Sequence, residues 1–278
     1  MNWKVSMTAV LAGAALVMGG CGVDSAATKT ETKVEKKAEQ KEAKAVTMQE
    51  MQQIVTDPNG HKGENIKFYG RVFVEPERDK DGVYLQMYTL NKGSDGNTIV
   101  GIKDPNLQIK QDDVVLVEGT VEKAFEGENA MGGKITAPVI KAKTVTKSEY
   151  KDAFVPTKKI IDVNQKVAQS GYDITVNKIE IADDETRVYV TVENNSKSEI
   201  SFYSFNAKIT QNGQQFEHES NYDAKYPEVS EDILPGVKSE GILTFKKVAD
   251  AGALQIVLEG SSDNYDIDLK PFVFAVNY

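Results

Sequence analysis

Apolar and polar residues alternate along most of this chain with a period of two, the mark of strands that bury one face in an antiparallel sheet. Runs of this kind at residues 66–75, 83–90, 98–103, 113–125 and 134–146 are separated by Gly, Asp, Asn and Pro clusters. A second series begins near Lys159, with its clearest members at 172–181, 187–194, 205–211, 241–247 and 253–259. Helical spacing opens at Thr47-Met48-Gln49-Glu50, which has the spacing of a capping box. It places Met48, Met51, Ile54 and Val55 on one side of a short helix that Asp57-Pro58-Asn59-Gly60 ends. The pattern predicts an all-β protein. A small five-stranded barrel with an N-terminal helix occupies 47–147, a connector 148–158, and an antiparallel β-sandwich 159–278.

The N-terminal region follows another rule. Lys4 and the terminal amine precede an apolar stretch from Val5 to Met18, about 14 residues, whereas a membrane-spanning helix needs roughly 20. The stretch ends in Gly19-Gly20-Cys21, and Cys21 is the sole cysteine. This arrangement resembles the lipobox of bacterial lipoproteins. The resemblance implies a signal peptide at 1–20, diacylglycerol on the Cys21 thiol, and a membrane-anchored mature chain on the extracytoplasmic face of the cell membrane. Residues 24–46 are low in complexity, mixed in charge and free of aromatics, so 21–46 reads as a lipidated, disordered linker. With no second cysteine, no disulfide framework holds the exported part together.

Two further resemblances concern the β-rich halves. The phrases GENIKFYGRV, TIVGIK and QDDVVLVEGTV, with an acidic turn at Lys110-Gln111-Asp112-Asp113, resemble the tRNA-anticodon-domain-like branch of the oligonucleotide/oligosaccharide-binding fold over about residues 60–147. GYDITVNKIEI, YVTVENNS, Asn212-Gly213 and ILPGVKSEGILTF resemble an immunoglobulin-like family of undefined function common in Gram-positive lipoproteins, over about 163–270. That family carries an Asn-Asn-Ser turn, here Asn194-Asn195-Ser196, and a Pro-Gly turn, here Pro235-Gly236. It implies a binding or spacer module and supplies no catalytic residues.

Alternation along the first strand assigns Ile66, Phe68, Val72 and Val74 to the core and Lys67, Tyr69, Arg71 and Phe73 to the outer face. On the second strand Val83, Leu85 and Met87 face inward, and Tyr84, Gln86 and Tyr88 outward. Lys67, Tyr69, Arg71, Phe73, Tyr84 and Tyr88 then form a basic, aromatic platform on the face that such barrels use for ligands, unless a helix or the second module covers it. The formal net charge of −9, concentrated in the C-terminal half, disfavours nucleic acid, whose binding rests on Lys and Arg neutralising phosphates.

Chemistry-like spacings are explained more simply. Ser148-Glu149-Tyr150-Lys151 and Ser262-Asp263-Asn264 lack the third element of penicillin-binding enzymes. The two histidines, His61 and His218, do not make a zinc set. The acidic groups at 183–185 and 263–268 lack the register of a calcium loop and read as solvated turns, and Phe202-Tyr203-Ser204-Phe205 reads as core plus edge. The expectation is a non-catalytic binding or interaction protein without cofactor or metal, contacting an envelope protein or glycan. The alternatives are a cell-wall hydrolase, with Glu75 or Glu118 as candidate acids, and a calcium-dependent adhesin.

Overall fold

The computed structural model describes residues 42–128 and 133–278, so Cys21, the leader and most of the expected linker lie outside the described residues. The first half holds strands β1 (Lys44–Ala45), β2 (Asn65–Val72), β3 (Glu77–Arg78), β4 (Val83–Leu90), β5 (Asp95–Ile102), β6 (Val114–Glu128) and β7 (Lys134–Ser148). Helix α1 (Met48–Thr56) follows β1. The strands form one sheet in the order β1-β2-β6-β7-β5-β4-β3, and it closes on itself because β2 also pairs with β4. That closing pair sets Arg71 opposite Tyr88 and Val72 opposite Met87.

Inside the closed sheet lie Ile66, Phe68, Val72, Val83, Leu85 and Met87, as alternation requires. Met51 and Ile54 of α1 join the same core. The helix begins where it does because the Thr47 hydroxyl accepts the Glu50 N–H while the Glu50 carboxylate accepts the Thr47 N–H. Register shifts at Glu118/Gly119 and Val121/Lys123 bend the long β6–β7 hairpin around the sheet. At Gly119 a Cβ would stand 2.6 Å from the Lys141 carbonyl oxygen, so the bend needs glycine.

Two expectations for this half are corrected. Val74 is exposed, because β2 ends at Val72 and the chain leaves the sheet before the alternation reaches it. Lys44 and Ala45, inside the segment read as linker, pair in parallel with Ile66 and Lys67.

The second half contains β8 (Lys159–Gln169), β9 (Tyr172–Ile181), β10 (Glu185–Asn194), β11 (Ile200–Phe202), β12 (Lys208–Gln211) and β13 (Gln214–Glu217). It continues with β14 (Asp232–Ile233), β15 (Lys238–Lys246), β16 (Ala253–Leu258), β17 (Gly260–Ser262) and β18 (Phe272–Asn277). The sheets β15-β10-β9-β8 and β13-β12-β16-β18 share one core that includes Ile174, Val188, Ile256 and Phe274. A smaller sheet, β14-β11-β17, contributes Ile200, Phe202 and Ile233 to it. At one edge the Gln165 amide donates to the Ala275 carbonyl at 3.0 Å, and at the other His218 bridges to Phe245.

Asn194 holds two turns together. Its amide donates to the Ser198 and Ile233 carbonyls, its side-chain oxygen accepts from Ser196, and its backbone carbonyl accepts the Gly236 N–H at 2.7 Å. The Asn-Asn-Ser and Pro-Gly turns are therefore one hydrogen-bonded unit.

The expected connector contains a short helix, α2 (Tyr150–Phe154). Tyr150 and Val155 pack with Val114 of β6 and with Ala182, just past β9, and so join the two halves through a small apolar cluster. Phe205, expected in a strand, lies in the 3-10 turn Ser204–Asn206 and is 65 % exposed, whereas Phe202 is buried. Among the described residues no helix is long and apolar enough to cross a membrane.

Candidate functional site

Lys67, Tyr69 and Arg71 on β2 and Tyr84 and Tyr88 on β4 share one side of the sheet, Phe73 follows just past β2, and most are already engaged. The Lys67 ammonium sits 2.7 Å from the Glu118 carboxylate on the neighbouring strand. Tyr69 lines a small crevice beside Ala153 and Phe154 of the connector. Arg71 donates to the Gly93 carbonyl at 2.9 Å and pairs with Asp223 of the second half at 2.6 Å. Phe73 and Tyr88 stack with ring centres 4.1 Å apart. Tyr84 stands apart from that stack, opposite Glu77 and Gly101, and burial with the nearby Asp79 and Asp81 raises its phenol pKa. The connector and the second half thus take up the Tyr69–Arg71 end of the platform, and the Phe73–Tyr88 stack remains half-buried.

Beside Arg71 the loop at 218–229 brings the two halves together. It is fastened where the Glu219 N–H donates to the Thr244 carbonyl and the Ile242 N–H donates to the Pro227 carbonyl, both at 2.8 Å. Between these anchors Tyr222 projects with 83 % of its surface exposed. One cavity of about 460 Å³ lies against the sandwich and is lined by Ser204, His218, Ser220, Tyr222 and Glu228 among others. A second of about 460 Å³ reaches the first half, with Asn91, Lys92, Asp184, Asp223 and Lys246 in its wall. Ser220, Asn221, Tyr222 and Thr244 line both.

The cations around these cavities are paired. Lys92 meets Asp184, Lys246 meets Glu219 at 3.1 Å, and Lys225 meets Asp112 at 3.0 Å, in addition to Arg71 with Asp223. Inside the first cavity burial lowers the His218 pKa while Glu228 acts to raise it, with burial the larger effect, so the imidazole is neutral near pH 7. Its ring stands edge-on to Phe245 at 6.0 Å.

Beneath the loop lies a cluster that strand alternation alone does not disclose. Arg187 of β10 is fully buried, and the hairpin turning at Asp183-Asp184 sets it opposite Glu180. Its guanidinium donates to Glu180 at 3.1 Å, Glu185 at 2.9 Å, the Val155 carbonyl at 3.0 Å and the Thr157 hydroxyl at 2.7 Å. Burial pushes the Glu180 pKa up, but hydrogen bonds from Lys178 and Thr157 and the Lys178 charge outweigh it and hold the carboxyl at about 2. Glu185 also accepts from Tyr226 at 2.9 Å and Asn221 at 2.7 Å, which ties the loop to the cluster. The reading of 183–185 as a solvated turn is therefore corrected for Glu185, which is buried and fully engaged. The available signal was a charge at each of two facing positions of a short hairpin.

Other candidates separate in space or settle into pairs. Ser148 ends β7 opposite Val114, while Ser262 lies in β17 opposite Ile200. A hydrogen bond from Lys67 holds the Glu118 carboxyl below its ordinary pKa, the reverse of what a general acid needs, and Glu75 accepts from the Gln111 N–H at 3.3 Å. His61 pairs with Glu64 at 3.0 Å. Among the described residues no group of three or more His, Cys, Asp or Glu is placed to hold a metal ion.

Residues 161–267 contain a domain that matches the family described as Domain of unknown function (DUF4352). Its span takes in Glu180, Glu185, Arg187, His218 and Tyr222 and leaves out the first half and β18. Among solved structures, the chain is similar to a functionally unknown protein from Listeria monocytogenes EGD-e, at 11 % identity over 45 % of this chain and 86 % of that one, with a TM-score of 0.33. It is also similar to the yjhA protein from Bacillus subtilis, at 16 % identity over 42 % of this chain and 98 % of that one, with a TM-score of 0.35. No curated protein matches.

Proposed function

We propose that this chain is a lipid-anchored, non-catalytic binding protein on the extracytoplasmic face of the cell membrane, with an envelope glycan or protein as its partner. The observation that carries the reading is the 218–229 loop, which holds an exposed tyrosine between two cavities and is bonded at its ends to a packed sheet. Binding residues on a loop that a rigid scaffold positions are a recurrent solution to recognition. The scaffold reads as an oligonucleotide/oligosaccharide-binding-like barrel joined to an immunoglobulin-like sandwich. For the barrel, the support is a five-stranded closure of β2, β6, β7, β5 and β4 in which β5 and β7 run parallel. The location rests on the leader and Cys21, since two or three acyl chains anchor stably where a single one is marginal.

The test is a photo-crosslinking side chain at position 222 in living cells, with a second probe at position 73. Discrete capture of wall material or an envelope protein from position 222 is the expected result. Crosslinks confined to the protein itself at both positions would remove the binding reading. In parallel, Cys21→Ser should move the protein from the membrane fraction to the soluble one, and its retention after a high-salt wash would overturn the anchor.

A further inference from the structure

Resting on that binding reading, we infer that the cavity beneath Tyr222 takes a neutral, hydroxyl-rich ligand, an uncharged oligosaccharide, held by Tyr222, His218 and Glu228. The charge arrangement comes first. Lys225, the lysine in the cavity's wall, already faces Asp112, and around the adjoining cavity the pairs are Lys92–Asp184, Lys246–Glu219 and Arg71–Asp223. An anionic ligand would have to break one of these pairs or enter without a counter-ion, while a neutral one leaves them intact.

The inner wall supplies the complementary groups. A neutral imidazole at His218 offers one N–H donor and one acceptor nitrogen, and Ser204 and Ser220 add hydroxyls that both donate and accept. Among the described residues Glu228 has no cation within ion-pair distance, so its carboxylate can accept from hydroxyl groups, and vicinal hydroxyls of a sugar match its two oxygens. Val229, Ile242 and Leu243 give the apolar patches that the C–H face of a pyranose needs. Tyr222, exposed at the mouth, is positioned to cover a second ring, and the adjoining cavity with which it shares a wall gives an oligomer room to continue. A volume of about 460 Å³ falls in the range of small-molecule sites.

The experiment is an NMR titration of the 15N-labelled protein with chitotetraose and cellotetraose as neutral probes and tetralysine and tetraglutamate as charged ones. Each is taken to about 10 mM, where even millimolar affinity registers. At least one neutral oligosaccharide should shift the resonances of residues 218–229. Tyr222→Ala should weaken that binding about three- to tenfold and Glu228→Gln about tenfold, with the remaining spectrum unchanged because both side chains are exposed. Undiminished affinity in both variants would overturn the site. Shifts from tetralysine or tetraglutamate alone would overturn the ligand class while leaving a binding protein in place. Silence from all four probes, beside a protein captured by crosslinking at position 222, would likewise overturn the glycan assignment and not the binding reading.

Discussion

Two arginines near the junction of the halves are held in opposite ways. Arg187 has no exposed surface and spends its donors on two carboxylates, a hydroxyl and a carbonyl. Arg71 keeps 19 % of its side chain exposed, and its partner Asp223 keeps 56 %. A buried guanidinium that lost its partners would leave unpaired charge in a dry interior, whereas an exposed pair exchanges one set of water contacts for another. The first arrangement fixes the path of the connector over the sandwich, because Val155 and Thr157 are among its acceptors. The second sets where the first half rests against the loop and contributes little energy.

Removing the buried member should have the largest effect. Arg187→Met is expected to cost about 3–5 kcal/mol, read as a fall in the urea midpoint, because Glu180 and Glu185 remain buried without it. Adding Glu180→Gln and Glu185→Gln to that variant should recover part of the loss, and a triple variant no better than the single one would show that packing outweighs charge here.

Acid probes the same cluster from the carboxylate side. The Glu180 carboxyl is held at about 2, below its ordinary 4.5, so its contribution is complete above about pH 4.5 and disappears as pH falls toward 2. Denaturation midpoints measured between pH 6 and pH 2 should show that decline, and it should be shallower in Glu180→Gln.

A smaller effect is expected from Gly241→Ala. The added Cβ would stand 2.3 Å from the Val229 backbone nitrogen, so the strand's cover at 227–229 must shift, at about 1–3 kcal/mol. Hydrogen exchange at residues 226–229 should rise in step.

The rim pair comes last. Arg71→Ala should change stability by about 1 kcal/mol or less. Its readout is geometric: spin labels on the two halves should report a broader distance distribution, which raised salt reproduces in the unaltered protein. A cost comparable to that of Arg187→Met would erase the contrast between the two sites.

Strands were the legible part of this molecule. The expected run at 83–90 coincides with β4 and that at 172–181 with β9, because alternation and turn residues are local signals. Even the bulge in β9 is written there. Buried positions run Tyr172, Ile174, Val176 and then Ile179, Ile181, a change of parity that the register shift opposite Tyr189/Val190 absorbs. Val74 and Phe205 mark where local reasoning ends, since neither the exit of β2 from the sheet nor the turn at 204–206 alters the local pattern. Alternation turned Lys67, Tyr69, Arg71, Tyr84 and Tyr88 away from the core, yet what covers Tyr69 and Arg71 depends on a five-residue helix and on Asp223, 152 positions beyond Arg71. The Arg187 cluster was hidden for the same reason. Its partners come from three separate segments, and burial on both sides of β10 follows from tertiary cover, not from its own sequence.

The two-residue strand β1 has a mechanical consequence. Tension on the chain ahead of Lys44 reaches the folded body through the Lys44–Ile66 and Ala45–Lys67 pairings, the Val46 N–H to the Lys67 carbonyl, and the ion pair between Lys44 and Glu50. Pulled along β2 these contacts bear load together in shear; pulled across it they open one after another. Beyond them stands α1, whose Met51 and Ile54 belong to the closed sheet's core. A tug that outlasts β1 would therefore begin to extract part of that core, which makes the short strand a mechanical fuse between whatever pulls and the fold it protects.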